Sequence, residues 1–289
     1  MEQEKYKNIK KGERGAIISI VAYLVLSALK LFVGNMTGSE ALQADGLNNA
    51  TDIIASVAVL IGLKVSRKPA DKDHPYGHWK AETVASMVAS IIMFAVGLQV
   101  LREAITSIAN NNHASPDLIS AWTGLFCAVV MYFVYRYNRN LGRKIKSQAV
   151  QAAAKDNLSD AWVSVGTAIG IIGSQFNLSW LDPVTAVAVG LLICKTGYDI
   201  FREASHDLTD GFNEEKLEIY KEAILEIKGV KDVRNIRGRK YGNNAVVDVV
   251  ITVNSDMAIG AAHDISEQVE DELKEKHHVY EVHVHVEPN

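Results

Sequence analysis

The sequence has 289 residues, 48% of them hydrophobic, and sets 30 Lys and Arg against 34 Asp and Glu for a formal net charge of −4. Without a basic block, that balance excludes the electrostatic footprint of a nucleic-acid binder. Only Cys127 and Cys194 are present, both inside apolar runs, which excludes a disulfide framework and argues against a thiolate metal site.

The mean hydropathy of +0.04 averages two unlike regions: long apolar runs over residues 1–208, and a stretch dense in Glu, Lys, Asp and His over 209–289. The polar segment Met1–Arg14 lacks the apolar core of a signal peptide. After it come six segments long enough to cross about 30 Å of hydrocarbon as helices. They lie near 15–35, 40–64, 81–106, 117–137, 148–174 and 182–204, and the second and fifth are the least apolar. Five Lys or Arg fall in Met1–Gly15, five in Lys64–Lys80 and five in Tyr135–Ser147, and none in the loops near 34–41, 107–117 and 175–183. An even number of spans with that bias puts both termini in the cytoplasm. Lys30 and Arg102 fall near the outer ends of their spans and are expected to snorkel.

The tail reads as a small α+β domain of order α-β-β-α-β. Glu214–Ile227 repeats apolar residues with helical spacing, Val230–Arg237 and Ala245–Val253 are strand-like, and Ala261–Lys276 forms a second amphipathic helix. Val279–Glu287 alternates, with Tyr280, Val282, Val284 and Val286 on one face and Glu281, His283, His285 and Glu287 on the other.

A carboxylate at mid-bilayer costs about 2.5–3.5 kcal/mol on insertion scales, so several in one helix need a reason. In the second span Asp45, Asn49 and Asp52 follow i, i+4, i+7 and share a face; in the fifth, Asp156 and Asp160 follow i, i+4. If the two helices face each other, Asp45, Asn49, Asp156 and Asp160 form a cluster of hard oxygen donors suited to Mn²⁺, Mg²⁺ or Ca²⁺. Clustered acids repel one another, so protons compete with the metal for them, which is the physical basis of exchange. The bland alternative, that these residues only join helices by hydrogen bonds, is the less favoured. Between spans two and three, Asp71, His74 and His78 are a second ligand set, with Pro75 and Gly77 forcing a turn between them. A structural loop is an equally good reading. In the tail, His263, His283, His285 and Glu287 are either regulatory metal ligands or a solvated face.

Taken together, these motifs resemble the cation diffusion facilitator family over nearly the whole chain. The resemblance implies a proton-coupled antiporter, not an enzyme, that exports divalent metal by alternating access as a homodimer in the plasma (inner) membrane. It also implies a transport site at Asp45, Asn49, Asp156 and Asp160. Zinc-handling members typically carry His where this chain has Asp156, and the oxygen donor points to the manganese-type branch. The transported substrate is therefore expected to be Mn²⁺, with Fe²⁺, Co²⁺, Zn²⁺ or Cd²⁺ as alternatives and protons as counter-ion. The loop set maps to the family's loop site. The tail matches at His263 and His285 with acidic Glu287, but Lys231 and Val250 replace expected ligands, which makes a binuclear tail site doubtful. The resemblance further implies a charge interlock between Lys80 and Asp207. Two readings from other classes, a passive cation channel and an intramembrane aspartyl hydrolase, are weaker; the Asn49 amide is a ligand but useless as an acid or base.

Overall fold

The computed structural model describes every residue except Met1, Arg67, 111–115, 146–147, Asn177 and Asn243. The expected loops near 107–117 and 175–183, and two of the basic residues counted for orientation, Arg67 and Lys146, therefore lie partly or wholly outside the described residues. Six long helices come first: α1 (Glu2–Thr37), α2 (Glu40–Ser66), α3 (Ala81–Ala109), α4 (Leu118–Ile145), α5 (Gln148–Ser174) and α6 (Leu181–Leu208). At about 1.5 Å per residue each can cross a bilayer. Segments of α1, α3, α4 and α6 among the described residues are apolar enough to do so by length and composition alone. α4 runs past the expected end at 137 to Ile145, because Arg136, Arg139 and Arg143 are good helix formers once the chain has left the apolar run.

The burial pattern of this bundle is inverted relative to a soluble protein. Large apolar side chains such as Phe32, Trp122, Phe133 and Ile169 are exposed on its outside, while Asp45, Asn48, Asn49 and Thr51 of α2 and Asn157, Asp160, Ser164 and Thr167 of α5 are buried. In lipid the outward face costs nothing to leave apolar, and polar groups must find partners inside. α4 packs along both α1 and α5. α1 and α2 also approach closely. A Cβ on Gly46 would meet Leu31 at 3.0–3.1 Å, and Ser27 Oγ donates to the Gly46 carbonyl at 2.8 Å.

The tail comprises α7 (Glu214–Leu225), β1 (Asp232–Tyr241), β2 (Asn244–Val253), α8 (Ile259–Asp271) with a π turn over Glu272–Lys276, and β3 (Glu281–Pro288), in the expected order. β1 pairs antiparallel with β2 and β2 parallel with β3, so α8 serves as the crossover that a parallel pair requires. Both helices cover one sheet face, around a core of Tyr220, Ile224, Val249, Ile251, Val269 and Leu273. β1 extends to Tyr241, four residues beyond the sequence expectation, because hairpin pairing with β2 overrides the polar Gly-Arg-Lys-Tyr run. Tyr280 leaves the valine face expected of it and rests against the Trp79 ring, with centroids 5.3 Å apart.

The chain divides into two compact units, residues 1–58 with 88–199, and 59–87 with 200–289. The compositional boundary at 208/209 falls inside the second.

Candidate metal centre

The first unit holds a buried polar cluster built by four helices, α1, α2, α4 and α5. Asp45 and Asn49, one turn apart on α2, point the same way, as their spacing requires, and both are fully buried. The close α1–α2 approach at Gly46 brings Lys30, one turn after Ser27 on α1, against them. Lys30 Nζ lies 2.9 Å from Asp45 Oδ1 and donates to Asn49 Oδ1 at 2.6 Å and to Ser164 Oγ of α5 at 2.9 Å. The snorkelling expected of Lys30 does not occur: its exposure is 0%. The close contact at Gly46 turns its stem inward, where a carboxylate and two polar oxygens compensate the buried charge. Arg102 is exposed, as a snorkelling residue should be.

Ser164 Oγ in turn donates to the Asp160 carbonyl one turn back on α5. The Asp160 carboxylate is buried and doubly held: Tyr23 O–H donates to Oδ2 at 2.6 Å and Asn48 Nδ2 to Oδ1 at 3.3 Å. Behind it, Asn157 Nδ2 donates to the Tyr23 hydroxyl at 2.9 Å, and Asn157 Oδ1 accepts from Ser19 at 3.1 Å and Asn138 at 2.9 Å. Three of the four expected transport ligands, Asp45, Asn49 and Asp160, thus belong to one connected buried network. Asp156 sits one turn earlier on α5 and is exposed. Asp52, a turn beyond Asn49, is half-buried, and its Oδ2 has no hydrogen-bond partner among the described residues. Lys30, Tyr23 and Ser164 lie outside the ligand set expected from sequence. A signal for the first two is nonetheless there, since Ser19, Tyr23, Ser27 and Lys30 recur at helical spacing as a polar stripe on an apolar helix.

The loop set lies in the second unit. Ligand atoms of Asp71, His74 and His78 all fall within 4.8 Å of one another. A turn closed by Gly77 N–H donating to the His74 carbonyl at 2.9 Å brings the two imidazoles together, centroids 4.2 Å apart and tilted by 36°. Gly77 adopts φ +80°, and a Cβ there would strike the Trp79 ring, so glycine is required. The His74 N–H donates to Asp71 Oδ1 at 2.7 Å, and this bond, then the His74 side chain, holds the Asp71 carboxyl below its ordinary value of 3.8. The folded value is the lower one. The hydrogen-bonded turn is therefore favoured above the ordinary carboxylate range and lost as pH falls through the folded value. An NMR titration of the Asp71 carboxyl is expected to give a midpoint below 3.8, moving back up in a His74→Pro variant, which has no N–H to donate.

The expected Lys80–Asp207 interlock is not formed. Lys80 pairs with Asp210 at 2.9 Å, and Asp207 with Lys240 at 3.1 Å. Asp210 takes a left-handed φ of 59° just past the end of α6, which carries its carboxylate to Lys80, and the lengthened β1 supplies Lys240. Nor does the tail gather its four candidates. His263 of α8 lies 3.4 Å from Glu267, His283 lies 3.5 Å from Glu281, and His285 lies 3.7 Å from Glu287, which Arg234 also holds. Among the described residues these four form no cluster of ligand atoms within 4.8 Å. α8 packs on the valine face of β3, whereas His283, His285 and Glu287 project from the other.

The chain matches the cation efflux transmembrane domain over residues 16–209 and the cation efflux protein cytoplasmic domain over 212–289. It is 56% identical over 285 residues to the manganese efflux system protein MneS of Bacillus subtilis (strain 168), covering 99% of this chain and 98% of that one. The manganese efflux system protein MneP of the same organism is 34% identical, over 94% of this chain and 95% of that one. The magnetosome protein MamM of Magnetospirillum gryphiswaldense is 31% identical over 88% of this chain and 80% of that one.

Proposed function

Because the chain belongs to the cation efflux family of membrane transporters, we propose that it exports Mn²⁺ from the cytoplasm in exchange for protons, as a homodimer in the plasma membrane with both termini cytoplasmic. The observation that carries this reading is the convergence of Asp45, Asn49 and Asp160 from two helices in the buried interior of the bundle. Carboxylate and amide oxygens suit a hard divalent ion, and buried carboxylates accept protons where water-exposed ones would not. The 56% identity to a protein named for manganese efflux supports the choice of ion.

Asp156 joins the site as the ion arrives. It stands exposed one turn from Asp160, at the edge of the cluster, where it draws the cation in and completes the oxygen set. Ion binding displaces protons from the aspartates, the bundle opens to the other side, and protons entering there release the ion and reset the site. The loop site at Asp71, His74 and His78 and the tail residues His263, His283, His285 and Glu287 act in metal sensing. The tail residues do so across a dimer, since one chain alone does not bring them together. Residues 1–208 form the transport domain and 209–289 the dimerisation and sensing domain.

The test is Mn²⁺ flux into inside-out vesicles with and without an imposed proton gradient. Flux that follows the gradient is expected; flux indifferent to it would establish a passive channel. Asp156→His is expected to shift preference from Mn²⁺ toward Zn²⁺ by about tenfold, since imidazole nitrogen favours the softer ion. Competition between the two metals in the same vesicles measures it, and unchanged selectivity would remove Asp156 from the ligand set.

A further inference from the structure

We propose that Lys30 is a tethered cation that occupies the Asp45–Asn49 position when the transported ion is absent and must be displaced for that ion to bind. The proposal rests on the transport reading above and adds a specificity and turnover device that the reading did not contain.

The geometry is that of a cation in a coordination site. One ammonium group, with three N–H donors, meets three oxygens from two other helices: Asp45 Oδ1 at 2.9 Å, Asn49 Oδ1 at 2.6 Å and Ser164 Oγ at 2.9 Å. Lys30 and Asp45 are both completely buried, and neither Asp45 carboxylate oxygen has a well-directed hydrogen bond among the described residues, Oδ1 being held by the ion pair alone. A purely structural ion pair would be expected to saturate both carboxylate oxygens. Here Oδ1 is held at ion-pair distance alone and Oδ2 by nothing among the described residues, so the carboxylate is left open to a second electrophile. The oxygens of Asp45 and Asn49 proposed to bind the metal are the ones Nζ now holds, and a divalent ion cannot share that spot with an ammonium because like charges at such separation repel strongly. Binding is therefore an exchange of one cation for another. Lysine suits the task, being a compact charge on a flexible four-carbon stem, where arginine would be a rigid planar fork.

The exchange has a consequence for the transport cycle. An emptied site with an unpaired carboxylate at its centre is costly to carry through the bilayer. With Lys30 swung into place the Asp45 charge is compensated, so the empty site can return with its central charge neutralised by the attached ammonium. Lys30 also sets a threshold for loading: the incoming ion must win the oxygens from an attached competitor at high effective concentration, which a weakly held or singly charged ion cannot do.

The experiment is calorimetric Mn²⁺ binding to the purified full chain and to Lys30→Met and Lys30→Gln, each checked for folding by gel filtration. Removal of the competitor is expected to tighten Mn²⁺ binding by about tenfold or more, while gradient-driven flux falls as the return step slows. Lysine as a mere helix clip predicts the reverse for affinity, because the ligands would splay apart. The wild-type chain gives an independent arm. Reductive methylation followed by peptide mass spectrometry should find Lys30 protected without metal and about tenfold more reactive at saturating Mn²⁺, as expected for an amine released from a buried pair. Equal or weaker binding by the variants, or protection of Lys30 unchanged by Mn²⁺, would overturn the tethered-cation role. Absence of Mn²⁺ binding by the wild-type chain would instead overturn the transport reading beneath it.

Discussion

Asp160→Ala in the full chain is expected to abolish Mn²⁺ exchange in proteoliposomes while leaving a folded protein. The carboxylate is only 8% exposed, and both its oxygens are already directed by neighbours, Oδ2 by the Tyr23 hydroxyl and Oδ1 by the Asn48 amide. Such outer groups alone are worth roughly 10–100-fold in metal affinity, so losing the ligand itself should cost about 100-fold or more. Asp160→Asn is the sharper variant. Its amide keeps the volume, and its oxygen can still accept from Tyr23, but its NH₂ then meets Asn48 Nδ2, donor against donor. That mismatch costs about 1–3 kcal/mol and removes the negative charge besides. Thermal unfolding in detergent separates the two effects, since a modest loss of stability cannot explain complete loss of flux. Transport at the wild-type rate in either variant would remove Asp160 from the ion path.

How much of this site a sequence can disclose depends on which interactions are local. The faces of α2 and α5 follow from i, i+4 spacing, so Asp45 with Asn49 and Asp156 with Asp160 pair on their helices by spacing alone. The tail order follows in the same way from the strict alternation of Val282 to Glu287 and the helical period of Glu214–Ile227. Lys30 cannot be placed by such a rule. A lone lysine in an apolar run is compatible with snorkelling, and what turns it inward is a contact with another helix, the Gly46–Leu31 approach. The polar stripe Ser19, Tyr23, Ser27 and Lys30 is the one local hint, and all four are buried. Asp156 shows the converse limit. Its spacing puts it on the Asp160 face, but a turn of helix is about 5.4 Å along the axis, enough to carry a side chain from the packed interior to its edge. The Lys80 interlock fails for a related reason: Asp207 and Asp210 stand one turn apart at the end of α6, and the left-handed backbone at Asp210 selects between them.

The second large effect concerns the frame of the site rather than its ligands. Asp182, in the first turn of α6, is buried against the start of α2. Its Oδ1 accepts from Ser39 Oγ at 2.7 Å, and its Oδ2 accepts from the backbone N–H groups of Glu40 at 2.7 Å and Ala41 at 3.3 Å. Ser39 itself caps the helix by accepting from Leu42 N–H at 3.2 Å. The opening turn of α2 has N–H groups with no partner inside the helix, and in this apolar setting water cannot be relied on to satisfy them. A carboxylate there also complements the positive end of the helix dipole. Asp182→Ala strands two backbone donors and one hydroxyl at once, so it is expected to destabilise the protein by about 3 kcal/mol or more. Asp182→Asn, which can still accept through one oxygen, should lose about half as much. Thermal unfolding followed by tryptophan fluorescence would rank the three proteins wild type, Asn, Ala; an alanine variant as stable as wild type would show that α2 is held by packing alone. Because Asp45 lies less than two turns beyond this cap, fraying of α2 should also weaken Mn²⁺ binding in Asp182→Ala. Asp182 touches none of the oxygens proposed to bind the ion, so that loss would tie the stability of the helix start to the precision of the site.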